Sequence, residues 1–176
     1  MSKVLDRKYA ELIVKSGVNL QKGQGLLVQA SNEALPLVRE IVRVAYEVGA
    51  FDVLVDTFDK ELDQIKAKLA PMESYLVKDF TLTKQHYIVD NNYAKIYICC
   101  DDPNELEGID TKKMQEARVK NAPLTRFYSE HFGNSLAQWC VCGYPQKDWA
   151  KQVFPNDPID VAYEKLYKAM DGYNVT

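Results

Sequence analysis

Histidine is scarce in this chain, and the common sequence signatures of catalysis are absent. The chain has two histidines, His86 and His131, which lie far apart in the sequence. It contains no HExxH zinc motif, no GxSxG nucleophile elbow, no GxGxxG fingerprint and no P-loop. Zinc hydrolysis, serine hydrolysis and nucleotide binding therefore have no support from a motif, and we predict no catalytic residue and no metal ligand.

Positive charge is also in short supply, and long apolar runs are missing. The 22 basic and 25 acidic residues give a net charge of −3, which disfavours nucleic acid or an anionic membrane as the main partner. The apolar runs are too short to cross a bilayer, and the N-terminus lacks the apolar block of a signal peptide. We therefore expect a cytoplasmic protein that binds neither nucleic acid nor a membrane.

Cysteine is limited to two pairs, Cys99-Cys100 and Cys140-Cys142. Both pairs fall within predicted strands, which favours buried, reduced thiols that pack in the core. A structural disulfide is disfavoured in a reducing compartment. A metal site formed by cysteine pairs on two neighbouring strands remains open, because Cys140 and Cys142 point to the same face of their strand.

Apolar segments bounded by turn residues predict four strands. The composition, 47% hydrophobic and 27% charged, is typical of a globular protein, and 176 residues suit one domain spanning residues 1–176. The second segment alternates apolar and polar residues, which places it near a sheet edge, whereas the fourth is uniformly apolar and predicts burial on both faces. The predicted strands are Gly25–Ala30, Phe51–Asp56, Tyr93–Cys100 and Leu136–Cys142.

Helical patterns lie between these strands. They predict a helix from Leu5 to a C-cap at Gly17, one from a cap at Ser31 or Asn32 to Gly49, and one over 59–69. Further helical segments are predicted over 72–91, 111–131 with a kink near Pro123, 146–153 and 158–171. Strands separated by helices indicate a single α/β domain with a mainly parallel sheet of about four strands, flanked by helices. Several strand orders satisfy this pattern.

Ligands of such sheets bind beyond the carboxyl ends of the strands. The alternative is that polar residues at these ends only cap helices and form turns. The candidate ligand-facing residues are Ser31, Asn32, Asp56, Asp101, Asp102 and Tyr144.

Two segments of the sequence resemble a known family when taken together. The opening LDRKYAELIVKSGVNLQKGQ and the later WCVCGYPQKDWAKQVFP resemble the N-terminal half of the aminopeptidase T, AmpS and PepS group of thermophilic metallo-aminopeptidases. The segment LVREIVRVAYEVGAFDVLVD between them is similar to that family's second helix and strand. The matching residues are Leu5, Tyr9, Ala10, Leu12, Ile13, Gly17, Asn19, Gln21, Gly23, Gln24, Trp139, Pro145, Trp149, Ala150, Val153, Phe154 and Pro155.

The resemblance implies a role in peptide hydrolysis without the catalytic centre itself. Family members are considerably longer, and their pair of divalent metal ions (zinc, cobalt or magnesium) is held by a C-terminal part that has no counterpart here. The implied role is that of an N-terminal domain that packs beside this missing metallopeptidase domain and contributes to the peptide-substrate chamber and to a homodimer. No cofactor is expected in this chain, and the chain alone is expected to be inactive.

Two other classes of function remain open on the residues alone. The chain could be a stand-alone module that binds a small ligand at its strand-end loops. It could also be an assembly module without peptidase activity.

Overall fold

The computed structural model describes residues 3–99, 109 and 111–171, which contain four strands and seven α-helices. The strands are β1 (Gly25–Ser31), β2 (Asp52–Phe58), β3 (Ala94–Cys99) and β4 (Trp139–Gly143). The helices are α1 (Lys3–Leu12), α2 (Leu35–Glu47), α3 (Lys60–Leu69), α4 (Asp79–Asp90), α5 (Lys112–Gly133), α6 (Lys147–Val153) and α7 (Ile159–Asp171).

The four strands form one parallel sheet in the order β2-β1-β3-β4. This confirms the predicted α/β class and the strand count. The chain passes from β1 to β2 on one side and then returns to the other side of β1 to form β3. The direction of winding therefore reverses between β1 and β3, and such a reversal leaves a crevice at the carboxyl edge of the sheet.

One face of the sheet packs on α1 and α2. Apolar side chains from β1 and β3 point to this face, including Val28 and Ile96, and they meet buried residues of α2 such as Leu37 and Ile41. These two central strands are buried because helices cover this face and strands flank both of their edges. Cys140 and Cys142 pack against the same core, as the predicted shared face requires.

The opposite face packs mainly on α4 and α5. Its core is smaller and more aromatic, and Leu27 of β1 lies there beside Tyr93 and Phe132. Tyr93 is fully buried, and its hydroxyl donates a hydrogen bond to Asp52 Oδ2 at 2.7 Å. A third, separate cluster joins α6 to α7 through Ala150, Ala162 and Leu166, with Trp149 and Phe154 packed against it.

The fourth strand differs from its prediction. It spans Trp139–Gly143 at the edge of the sheet, and Trp139 and Val141 are 50% and 51% exposed. The expectation of burial on both faces is therefore wrong: Cys140 and Cys142 face the core, while the alternate residues face outward. The edge position predicted for the second strand is confirmed, because β2 is the outermost strand of the described sheet and pairs there with β1.

The helix that contains Pro123 continues through it from Lys112 to Gly133. The region 72–91 resolves into a 3-10 turn (Met72–Tyr75) followed by α4. No helix within the described residues is long and apolar enough to cross a membrane.

Candidate functional site

The carboxyl edge of the sheet is where the sequence predicts a site. The residues that end the strands there are Ser31, Phe58, Cys99 and Gly143. Ser31 is fully buried, and its hydroxyl accepts a hydrogen bond from the backbone N–H of Glu33, so it caps the turn that leads into α2. Ser31 therefore acts as a helix cap, which is the alternative to ligand binding given above for polar residues at the strand ends.

Asn32 and Tyr144 have different environments at this edge. Asn32 is exposed, and its Nδ2 donates to Asp59 Oδ2 at 3.2 Å, while Asp59 Oδ1 accepts from two backbone N–H groups at the start of α3. Tyr144 is only 4% exposed and packs in the core beneath α1 and α2. Asn32 is therefore accessible from solvent at this edge, whereas Tyr144 is not.

Asp56 lies two residues before the end of β2, because the strand continues to Phe58 rather than ending at Asp56 as predicted. Its carboxylate forms an ion pair with Lys84 of α4 on the α4–α5 face of the sheet. Strand register places Gln29 beside it and Tyr97 one strand further. Asp101 and Asp102 lie outside the described residues.

The chain leaving β4 folds over the carboxyl edge. The backbone N–H of Tyr144 donates to the carbonyl of Cys99 at 3.1 Å, and both Pro145 and Gln146 are buried. Lys60, at the start of α3, donates to Gln146 Oε1. This contact joins the segments that follow the two outer strands, β2 and β4. Sequence reasoning missed it because 86 residues separate the partners.

Lys95 occupies a half-buried position on the α4–α5 face. Burial lowers the pKa of its ammonium group, an effect that the charge of Asp56 opposes. Its Nζ lies 5.3 Å from the ring centroid of Tyr128 and 5.4 Å from that of Phe132. Burial, with a further contribution from Asp56, raises the pKa of Tyr128 to about 12. These contacts hold a cation beneath α5, where aromatic faces stabilise it.

An open groove lies between α4 and α5, next to the 3-10 turn that precedes α4. Its volume is about 1570 Å³. The side chain of Asn121 on α5 holds one wall: its Nδ2 donates to the carbonyl of Tyr75, and its Oδ1 accepts from the N–H of Val77. None of the described strand-end residues lines this groove, so the sequence rule for parallel sheets does not predict it.

No cluster of three or more histidine, cysteine, aspartate and glutamate side chains is placed to hold a metal ion in the described ranges. Within the described residues, Cys99, Cys140 and Cys142 are not joined in a disulfide. Burial raises the pKa of the Cys140 thiol, which disfavours the thiolate that a metal would need.

Comparison with known proteins relates this scaffold to peptidases. Aminopeptidase AmpS of Bacillus subtilis (strain 168) is 32% identical over 166 residues, which are 92% of this chain and 40% of that protein. Aminopeptidase 2 of Geobacillus stearothermophilus is 34% identical over 164 residues, 93% of this chain and 40% of that protein. This chain therefore spans about 40% of the length of these curated relatives.

The fold has a counterpart of known structure. Wild-type AmpT from Thermus thermophilus superimposes with a TM-score of 0.83 at 29% identity, over 96% of this chain and 43% of that one. The family model for the thermophilic metalloproteases (M29) matches residues 3–173. Because this match covers nearly the whole sequence, the chain belongs to the thermophilic metalloprotease (M29) family.

Proposed function

We propose that this chain is the N-terminal, non-catalytic part of a metal-dependent aminopeptidase, which removes N-terminal amino acids from peptides. One observation carries the proposal: the family match spans residues 3–173, yet the chain corresponds to only about 40% of each aminopeptidase. In this proposal, the divalent metal pair (zinc, cobalt or magnesium) is held by the metallopeptidase part that the relatives have in addition. In the same proposal, this chain supplies no ligand to the metal pair.

The chemistry of peptide hydrolysis supports this division of labour. A metal ion must lower the pKa of a bound water, which requires several converging ligands and one open position. The described residues offer no such set. We therefore assign the domain the role of enclosing the peptide-substrate chamber. Asn32 and Asp56 are the described candidates whose side chains remain accessible to a peptide; Asp101 and Asp102 stay candidates on the sequence.

The first prediction concerns activity. We expect the purified 176-residue chain to release no nitroaniline from leucine p-nitroanilide in the presence of zinc, cobalt or magnesium, because it cannot activate a water. An intact aminopeptidase of the same family, assayed in parallel, provides the positive control. Turnover that depends on added metal, is abolished by a chelator and co-elutes with the pure chain would refute the proposal.

Exposed apolar residues on the outer face of β4 support the proposal that a partner packs on this domain. Leu136, Trp139 and Val141 are exposed together on or just before this edge strand. Clusters of exposed apolar side chains mark interaction surfaces. We propose that the metallopeptidase part, or the second subunit of a homodimer, covers this surface in the intact enzyme.

The second prediction follows from this bare surface and also tests the alternative of an assembly module. We expect the isolated chain to self-associate at high concentration, and a Leu136→Ser/Trp139→Ser variant to sediment as a monomer. Sedimentation velocity over a concentration series measures both. A wild-type chain that remains monomeric throughout would contradict the assignment of this surface. Val119→Ser on α5, which is also exposed, is the control and should leave association unchanged.

A further inference from the structure

The charged residues that line the groove between α4 and α5 are all positive. They are Lys66, Lys78, Arg118 and Arg126, with no aspartate or glutamate among the lining residues of the described chain. The chain as a whole carries a net charge of −3. A basic groove on an acidic protein concentrates positive potential at one place, and such a groove attracts an acidic partner.

Most of this positive charge is not neutralised by described carboxylates. Arg126 pairs with Glu130, whereas Lys66, Lys78 and Arg118 form no ion pair with any described residue. Lys78 donates to the backbone carbonyl of Glu73, and Lys66 lies 4.7 Å above the ring of Tyr75. Both contacts position the ammonium groups and leave their charges available.

The walls between these cations are apolar. Leu76, Val77 and Met114 line the groove, and Phe80 at its rim is 75% exposed. An occupant must therefore present apolar side chains as well as negative charges. The volume of about 1570 Å³ exceeds the roughly 300–1,000 Å³ typical of small-molecule sites, which favours a peptide segment over a small anion.

Two polar atoms in the groove walls have no hydrogen-bond partner among the described residues. They are the hydroxyl of Tyr75 and Oε1 of Gln85, and both are buried from water. A buried polar group without a partner destabilises the free protein, so a peptide whose binding opens the wall and supplies a hydrogen bond to either atom removes that penalty. The same occupant would thus satisfy the charge, the apolar walls and these two atoms.

We propose that this groove binds an acidic peptide segment of a partner protein, in which carboxylates alternate with apolar side chains. The carboxylates pair with Lys66, Lys78 and Arg118, and the apolar side chains pack on Leu76, Val77 and Phe80. None of the described strand-end residues lines the groove, and the proposed binding does not depend on peptidase activity. Its failure would therefore leave the proposed aminopeptidase function unaffected.

The test measures fluorescence anisotropy of a labelled 12-residue peptide in which glutamate alternates with leucine. We expect saturable binding to the wild-type chain that weakens with salt, and little binding of the analogue with glutamine in place of glutamate. Exposed ion pairs are each worth a factor of about two to five, so Lys78→Glu/Arg118→Glu should weaken binding about tenfold or more. Lys8→Glu/Arg39→Glu, on α1 and α2, is the control of equal charge change and should bind like wild type.

A second variant separates recognition from folding. Tyr75→Phe removes the unpartnered hydroxyl, so the free chain should unfold at the same or a higher temperature while its affinity for the peptide falls about threefold. Equal binding by the groove and control variants would overturn the proposal. So would competition by free glutamate or phosphate at the same concentration as the peptide, because it would indicate a small-anion site. Tighter binding of an RNA oligonucleotide would overturn it in favour of a nucleic-acid site.

Discussion

Replacing Gly25 by alanine is expected to destabilise the domain by about 3 kcal/mol, at the upper end of the usual cost of overpacking. An added Cβ would lie 2.5 Å from both Cε1 and Cζ of the Tyr93 ring. The ring cannot retreat, because it is fully buried and its hydroxyl is bonded to Asp52. It also packs edge-on against Phe51, with ring centroids 5.5 Å apart. Gly25 begins β1, so any shift of its backbone would disturb the centre of the sheet.

Gly133→Ala is the matched control for this prediction. A Cβ at Gly133 meets nothing within 4 Å, and alanine restricts the unfolded chain, so this change should be neutral or stabilising by up to about 1 kcal/mol. Urea unfolding followed by circular dichroism measures both variants. Equal midpoints for the two would show that Tyr93 moves more easily than its contacts imply. Partial recovery of Gly25→Ala by a second change, Tyr93→Leu, would identify the ring as the cause.

The class of fold could be predicted from sequence because its signals are local. An apolar strand, a break at glycine or proline, and a helix cap are each encoded by a few neighbouring residues. Ser31, for example, caps the start of the helical region that its position predicts. Strand order could not be predicted, because right-handed crossovers allow several orders. The prediction ended β2 two residues too early, at Asp56. The strand continues because Thr57 and Phe58 also pair with β1, and no glycine or proline interrupts the chain before them.

Burial of β4 was mispredicted for a physical reason that bears on function. An apolar run indicates that a strand is buried, but it does not indicate whether the same chain or a partner covers it. Trp139 and Val141 are half exposed in this chain, as our proposal of a partner that covers this surface requires. An uncovered apolar edge is therefore the expected pattern for one part of a larger assembly.

The candidate site could be predicted only in part. The strand-end rule located Ser31 and Asn32 at the carboxyl edge, but it could not show that Ser31 and Tyr144 are buried there. The contact between Lys60 and Gln146 and the groove beside α5 depend on residues that are distant in sequence and carry no motif. Their chemistry arises from tertiary packing, which local patterns do not encode.

Asn121→Ala is expected to destabilise the domain by about 2–3 kcal/mol and to loosen the wall of the groove. Its amide makes two hydrogen bonds to the backbone of another segment: Nδ2 donates to the Tyr75 carbonyl at 2.8 Å, and Oδ1 accepts from the Val77 N–H at 2.9 Å. Removing both leaves two backbone groups without partners, at about 1–3 kcal/mol for each one that stays buried. The open groove lets water reach part of this region, which lowers the expected total.

Hydrogen exchange distinguishes this local role from a general loss of stability. The amides of residues 72–78 should exchange much faster in Asn121→Ala, while those of β1 and β3 should exchange faster only by the factor that the lower global free energy of unfolding sets. Asn91→Ala is the matched control. Among the described residues its Nδ2 donates a single hydrogen bond, to the Tyr87 carbonyl in the preceding turn, so we expect a loss of less than about 1 kcal/mol. Unchanged exchange at residues 72–78 would mean that packing, not Asn121, positions this wall. If instead these amides lose protection and the acidic peptide no longer binds, Asn121 is the residue that ties the fold of α5 to the recognition surface proposed beside it.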